Sequence, residues 1–193
     1  MAIFGAFFDA NVLYPSGLRN FLMHLALTDI FSAHWSADVH EEWMRNLLKN
    51  RPDLTRPRLE RTRHLMDKAL PDALVTGYEH LIDSIELPDW DDRHVLAAAI
   101  QCGARVIVTL NLGDFPAAAL AKFGIEAQHP DDFVLALLET YPDLVIEALK
   151  SHRISLKNPP KTAAEYLADL GAQGLSKTVI ALRQLVAAQS SEI

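Results

Sequence analysis

Four acids stand where chemistry could converge: Asp9, Glu42, Asp92 and Asp114. Asp9 follows the almost wholly apolar run of residues 3–8, and Asp114 lies just past the β-branched run of residues 105–109. Four carboxylates brought together repel one another unless cations lie between them. Hard oxygen ligands with open positions suit Mg²⁺ or Mn²⁺. One or two such ions can activate a water and stabilise the leaving oxygen of a phosphodiester. The expected chemistry is therefore metal-assisted phosphodiester hydrolysis. Taken singly, each acid could be a helix cap or a solvated turn. Asp9 is the exception: Ala10, Val12 and Leu13 follow it, so it is expected to be partly buried, and no Lys or Arg stands beside it as a partner.

The elements that must position these acids follow from hydrophobic pattern. Residues 3–8, 105–109 and 125–128 read as strands, with Gly5 weakening the first. Leu18, Phe21, Leu22, Leu25 and Ala26 recur at helical spacing. Ser36 is a plausible N-cap for a helix to about Leu48, and Pro52 and Pro57 flank the start of a basic helix to about Leu70. Short helices are predicted over residues 78–84 and 115–122. Residues 95–102 form an apolar run preceded by acids and stopped by Gly103, the pattern of a buried helix. Pro130, Asp131 and Asp132 open another helix to about Leu138. Alternating strands and helices imply an α/β layer with a central parallel sheet flanked by helices. In such a sheet, ligands sit beyond the carboxyl ends of the strands. Asp9 and Asp114 lie there directly. Asp92 begins a helix that runs antiparallel to the strand after it, which returns the helix start to the same edge. Glu42 sits in the early turns of the Ser36 helix, roughly 9 Å from its start.

From Tyr141 onward no strand signal remains. Pro159-Pro160 reads as a linker, and residues 162–188 as two helices parted near Gly171 and Gly174. The expected organisation is one domain over residues 1–140 and a C-terminal helical extension over residues 141–193.

The 193 residues can bury roughly 70% of the unfolded surface without staples. A composition that is 50% apolar and 22% charged argues against a disordered or collagen-like chain. The single cysteine, Cys102, rules out an internal disulfide and a multi-cysteine zinc site, and fits a reducing compartment. No apolar run is long enough to span a membrane, and the start lacks the basic region of a signal peptide, so a cytoplasmic protein is expected. The net charge of −7 conceals a polarised chain. Residues 45–68 carry a net +5 and residues 150–161 a net +4, against −16 for the remainder. Arg56, Arg58, Arg61, Arg63 and Lys68 of the basic helix could hold a nucleic-acid backbone. The alternatives are a solvated helix face or a dock for an acidic protein segment.

Four segments, in this order, carry a resemblance: FFDANVLYP (residues 7–15), SADVHEEW (36–43), LPDWDDRHVLAAAI (87–100) and VTLNLGDFP (108–116). Together they resemble a PIN domain, and specifically the VapC-like toxin ribonucleases, over roughly residues 1–140. The resemblance implies a PIN-like three-layer α/β fold and an endoribonuclease that cleaves RNA with Mg²⁺ or Mn²⁺. It also implies a cognate protein antitoxin of a type II toxin–antitoxin system, and commonly a homodimer. Asp9, Glu42, Asp92 and Asp114 match the family's acids, which would act as both metal ligands and catalytic residues. Asn11 and Thr109 match supporting polar positions, and Asn111 stands where many relatives carry a further Asp. Adjacent helical residues point about 100° apart, so only one of Glu41 and Glu42, and one of Asp91 and Asp92, can face a common site. Glu42 is preferred because it directly precedes Trp43, and Asp92 because it stands three residues before the buried Val-Leu-Ala-Ala run.

His34, His40 and His94 form no HExxH motif, which makes a histidine zinc site a poor reading. Trp35, Trp43 and Trp90 could stack on bases, but core or rim packing is the better expectation for all three. Arg93 and His94 could contact substrate, although a plain surface role is the better expectation. Cys102 reads as a small core residue. Two rival functions are a PIN-like protein-binding module that has lost catalysis and an aspartyl-nucleophile phosphatase. The latter usually needs a second Asp where Asn11 stands.

Overall fold

The computed structural model describes residues 4–190, with side chains to residue 185. The elements are β1 (Gly5–Phe8), α1 (Ala10–Leu13), α2 (Ser16–Ala26), β2 (Ser32–Ser36), α3 (Ala37–Asn50), α4 (Arg56–Ala69), β3 (Leu74–Val75) and α5 (Glu79–Ile82). They continue with α6 (Arg93–Gln101), β4 (Ala104–Val108), α7 (Ala117–Leu120), β5 (Glu126–Gln128), α8 (Pro130–Thr140), α9 (Pro142–Ser155), α10 (Ala163–Ala172) and α11 (Ser176–Ser190). By packing, the chain forms two compact units. One holds the described residues up to Tyr14 together with Asp29–His129, and the other holds Pro15–Thr28 together with the described residues from Pro130 onward.

The first unit is built on a five-stranded sheet in the order β3-β2-β1-β4-β5, with every pairing parallel. The sheet is α/β as expected, but it has two strands more than the three read from sequence. β2 was missed because its sequence, SAHWS, alternates polar and apolar residues over only five positions, and β3 because it is two residues long. Their burial makes the reason plain: Ala33 and Trp35 face the core, while Ser32 is exposed and His34 half-buried. Parallel strands buried on both faces read as continuous apolar runs. β1 is such a run, with Ala6, Phe7 and Phe8 fully buried. Its Gly5 has a packing cause. A Cβ there would meet the Cα of Ala104 at 3.1 Å, beside the register shift between β1 and β4.

Ser36 caps α3 as expected, its hydroxyl accepting from the Val39 N–H at 3.2 Å. Helix α6 buries Val95 to Ala99 without interruption and ends at Gly103, whose φ of +67° is the left-handed conformation that favours glycine after a helix. Cys102 is not a core residue. It occupies the C-cap of α6, half-buried, with its thiol against the Ala99 carbonyl at 3.5 Å. Helix α4 buries only Leu59 and Met66 of its fourteen residues, so side-chain bonds must tie it down. Asp67 Oδ1 accepts from the Trp35 indole at 2.9 Å and pairs with His40 Nε2 at 3.0 Å. The Trp43 indole donates to His40 Nδ1 at 3.0 Å, which leaves Nε2 as the donor to Asp67. Trp35, His40 and Trp43 are all fully buried.

The second unit is helical. Helix α2 packs on α9 and α10, α8 on α9 and α11, and α10 on α11. Two helix starts are capped by side chains. Asp131 of α8 accepts from the N–H groups of Lys177 and Thr178, at 2.8 and 2.9 Å, in the first turn of α11. Thr162 and Glu165 form a reciprocal capping box on α10. Among the described residues, no helix is long and apolar enough to cross a membrane.

Candidate active site at the carboxyl edge of the sheet

In an open parallel sheet, the crevice lies where the strand order reverses. Here β2 and β3 extend from one side of β1, and β4 and β5 from the other. Asp9 and Thr109 are the first residues beyond β1 and β4, at that junction. Backbone bonds continue the ladder past both strand ends, from Asp9 N–H to the Val108 carbonyl at 3.1 Å and from Thr109 N–H to the Gln128 carbonyl at 3.0 Å.

Asp9 is 3% exposed, and its carboxylate is held by neutral donors alone. Oδ1 accepts from the Ala10 N–H at 2.6 Å, which caps α1. Oδ2 accepts from the Thr109 hydroxyl at 2.7 Å and from Asn11 Nδ2 at 2.6 Å. Asn11 also bridges the two strand ends, donating to Thr109 Oγ1 at 2.9 Å and accepting from the Leu110 N–H at 2.9 Å. Burial pushes the Asp9 pKa up, the Thr109 bond opposes the rise, and the charge of Glu42 adds to it.

Asp92 is the N-cap residue of α6, though its side chain makes no cap bond. Its pKa is pushed up to about 7, first by burial and then by the negative charges of Asp9, Asp114 and Asp89. A hydrogen bond with Asp114 further favours its protonated form. Asp114 closes a short 3₁₀ turn over Leu112–Asp114, and its Oδ2 accepts from the Asn111 amide. The Asn111 N–H in turn donates to Thr109 Oγ1 at 3.0 Å. Glu42 Oε2 lies 3.6 Å from His94 Nε2.

Each adjacent acid pair is split in space. Glu41 is exposed and makes a two-pronged pair with Arg56, at 2.8 and 2.5 Å, whereas Glu42 acts electrostatically on Asp9. Asp91 is exposed, its N–H bonded to Asp89 at 2.9 Å, whereas Asp92 is half-buried and acts on by the other acids. Asp9, Glu42, Asp92 and Asp114 are thus linked through mutual repulsion. They are not a closed ligand shell: among the described residues, no three His, Cys, Asp or Glu side chains are gathered tightly enough to hold a metal. The donor set nevertheless fits a hard divalent cation. It consists of carboxylates, two of them, Asp9 and Asp92, with pKa values raised first by burial and then by neighbouring acids, and no Lys or Arg stands among the causes acting on either.

The basic helix does not present five free cations. Arg56 is taken up by Glu41 and Glu60, and Arg63 lies 3.5 Å from Glu60 and 3.6 Å from Asp67. Arg58, Arg61 and Lys68 are exposed. Trp35 and Trp43 are core residues, as expected, but Trp90 is not: it is 73% exposed. The His40–Asp67 pair that fixes α4 was missed from sequence, because a buried His and an Asp 27 residues away carry no shared motif.

Residues 6–113 match the family described as PIN domain, and residues 130–184 match the family described as VapC50 C-terminal domain. A protein of Mycobacterium tuberculosis (strain H37Rv) named "Putative ribonuclease VapC50" is 38% identical over 121 residues, which cover 61% of this chain and 71% of the relative. No solved structure matches the chain. The chain belongs to the PIN-domain family and is VapC-like, with a C-terminal extension of the VapC50 type.

Proposed function

We propose that this protein is an endoribonuclease dependent on Mg²⁺ or Mn²⁺, and the toxin of a type II toxin–antitoxin pair. The observation that carries this reading is the acid cluster at the β1–β4 junction: Asp9 is buried on neutral donors alone, and Asp92 is pushed up to about 7, first by burial and then by the charges of Asp9, Asp114 and Asp89. Acids that repel one another across a sheet edge with no cationic side chain among the causes acting on them would be stabilised by a bound cation. Asp9, Glu42, Asp92 and Asp114 would hold it. A bound divalent ion supplies Lewis acidity, which lowers the pKa of water and offsets charge on a phosphodiester. The chain's own groups do the positioning. Thr109, Asn11 and the Ala10 N–H fix both oxygens of Asp9, and Asn111 fixes Asp114. Within α4, Arg58, Arg61 and Lys68 are exposed cations that could hold the RNA backbone.

Three further points belong to the proposal. The chemistry is assigned to residues 1–140, with residues 141–193 as an appended helical module. The partners are RNA and a cognate protein antitoxin, and the protein acts as a homodimer in the cytoplasm. The relative named as a ribonuclease supports the substrate class.

The test is cleavage of a mixed RNA pool by purified protein in Mn²⁺, with parallel reactions in EDTA and with Asp9→Asn. Cleavage that needs both metal and Asp9 is the expected result. Cleavage that survives EDTA or Asp9→Asn would sink the reading. Folded wild-type protein that neither cleaves nor binds Mn²⁺ would favour a binding module instead.

A further inference from the structure

Trp90 has the highest exposure of any large hydrophobic side chain described, at 73%. It lies in the loop before α6, two residues before Asp92. An exposed indole offers a large, rigid, π-rich face to a ligand. One face of the ring is already used: the Arg93 guanidinium carbon lies 3.7 Å from the ring centroid. That is the stacked cation–π arrangement, in which arginine adds rigidity as well as charge.

Arg93 is constrained in a second way. Its Nε is buried and finds no hydrogen-bond partner. Asp89, Asp91 and Asp92 precede it in sequence, yet among the described residues it forms no ion pair within 4 Å. The guanidinium is spent on the ring. It holds the indole in place from one side and leaves the rest of it to solvent. The acids nearby disfavour a phosphate at this spot but do not oppose an uncharged, flat, π-rich group. A nucleobase is such a group, and base–aromatic stacking works for any base that is not already paired.

We infer that Trp90, backed by Arg93, is a stacking platform for an unpaired base of the RNA strand beside the carboxylate site. The inference rests on the nuclease reading for the identity of the ligand, and it adds a residue that positions the strand. Trp90 is a substrate-positioning residue.

The experiment uses the full chain carrying Asp9→Asn, in Mg²⁺, so that bound RNA is retained. The probes are end-labelled single-stranded oligoadenylate and oligouridylate, with a blunt RNA duplex as control. Trp90→Ala is expected to weaken single-strand binding by about tenfold and leave duplex binding unchanged, and Trp90→Phe to recover most of the loss. Trp35 and Trp43 are fully buried, so single-stranded RNA should also quench an exposed tryptophan emission that disappears in Trp90→Ala. In protein with Asp9 intact, Trp90→Ala should raise KM and spare kcat.

Unchanged single-strand affinity in Trp90→Ala overturns the platform and leaves the ring to a protein partner. Equal losses for single strand and duplex overturn it as well, as does a parent protein that binds no single strand. The two readings fail separately. Wild-type protein that binds single strands through Trp90 but cleaves nothing in Mn²⁺ removes the nuclease and keeps the platform. Wild-type protein that cleaves equally well as Trp90→Ala, with the same KM, removes the platform alone.

Discussion

Thr109 donates its hydroxyl to Asp9 Oδ2 at 2.7 Å across 100 residues of sequence, and Thr109 Oγ1 itself accepts from Asn11 Nδ2 and from the Asn111 N–H. One buried hydroxyl therefore joins the ends of β1 and β4 and supports the carboxylate between them. Thr109→Val keeps the shape and removes every one of these bonds. Losing the donor to a buried carboxylate costs about 1–3 kcal/mol. We expect a lower urea midpoint, and cleavage reduced about tenfold because Asp9 is no longer held. Thr109→Ser should restore both. A Thr109→Val protein with unchanged stability would show that the hydroxyl is dispensable to the junction.

Asp92 carries the opposite balance. At pH 8 it is ionised, although burial first and then the charges of Asp9, Asp114 and Asp89 disfavour its charge. In EDTA, Asp92→Asn should be more stable than wild type, by on the order of 1 kcal/mol once solvent screening of this half-buried group is allowed for. Adding Mn²⁺ should raise the melting temperature of wild type and do so less for the variant, while cleavage is lost. Thermal melts with and without metal read both effects. An Asp92→Asn protein that is less stable in EDTA would make Asp92 a structural cap of α6.

Much of this site was legible in advance because its signals are local. An acid directly after an apolar run, a Ser ahead of a helix and a glycine after one are each decided within a few residues. The Ser36 cap and the Gly103 stop both stand in the structure where the sequence pattern puts them. What was not legible depends on distant partners. β2 is a strand because β1 pairs with it through Phe7 and His34, not because Ser-Ala-His-Trp-Ser is apolar. Arg56 looks like a free cation until Glu41 is seen to face it. Helix α2 has an ordinary amphipathic pattern, and nothing in it says that its packing partners lie beyond residue 140. Trp90 reads as a packing residue because tryptophan usually is one, and only its surroundings show that it is not.

The Asp67 network gives a sharper test of how α4 is held. Asp67 Oδ1 takes both the Trp35 indole and His40 Nε2. Asp67→Ala strands two donors that are fully buried, each at a cost of about 1–3 kcal/mol. With so little of α4 buried, the helix has few other contacts to compensate. We expect a loss of about 2–4 kcal/mol in urea unfolding, and Asp67→Asn should recover part of it because an amide oxygen can still accept. A neutral Asp67→Ala would mean that α4 is held by its charge pairs alone.

In the helical unit, acid should weaken the fold through His152. Its ring is 1% exposed and is packed between Phe21 and His24 of α2 and Tyr166 of α10, with Nδ1 at 2.9 Å from the Tyr166 hydroxyl. Nε2 is buried with no partner. Burial first, and the nearby His24 second, push the pKa from 6.5 down to about 4. His24, partly buried, is itself lowered. The unfolded chain therefore binds the proton more readily than the folded one between about pH 6.5 and pH 4. Stability from this group is fully present above the unfolded value and is lost as pH falls through that window, by at most about 3 kcal/mol. Other groups titrate in the same range, so the measurement is a difference: urea midpoints at pH 7 and pH 4.5 for wild type and for His152→Phe. The variant should lose about 1 kcal/mol at pH 7, where the Tyr166 hydroxyl is left without its acceptor, and should then fall less steeply on acidification. Parallel declines for the two proteins would show that the acid sensitivity of this unit lies elsewhere.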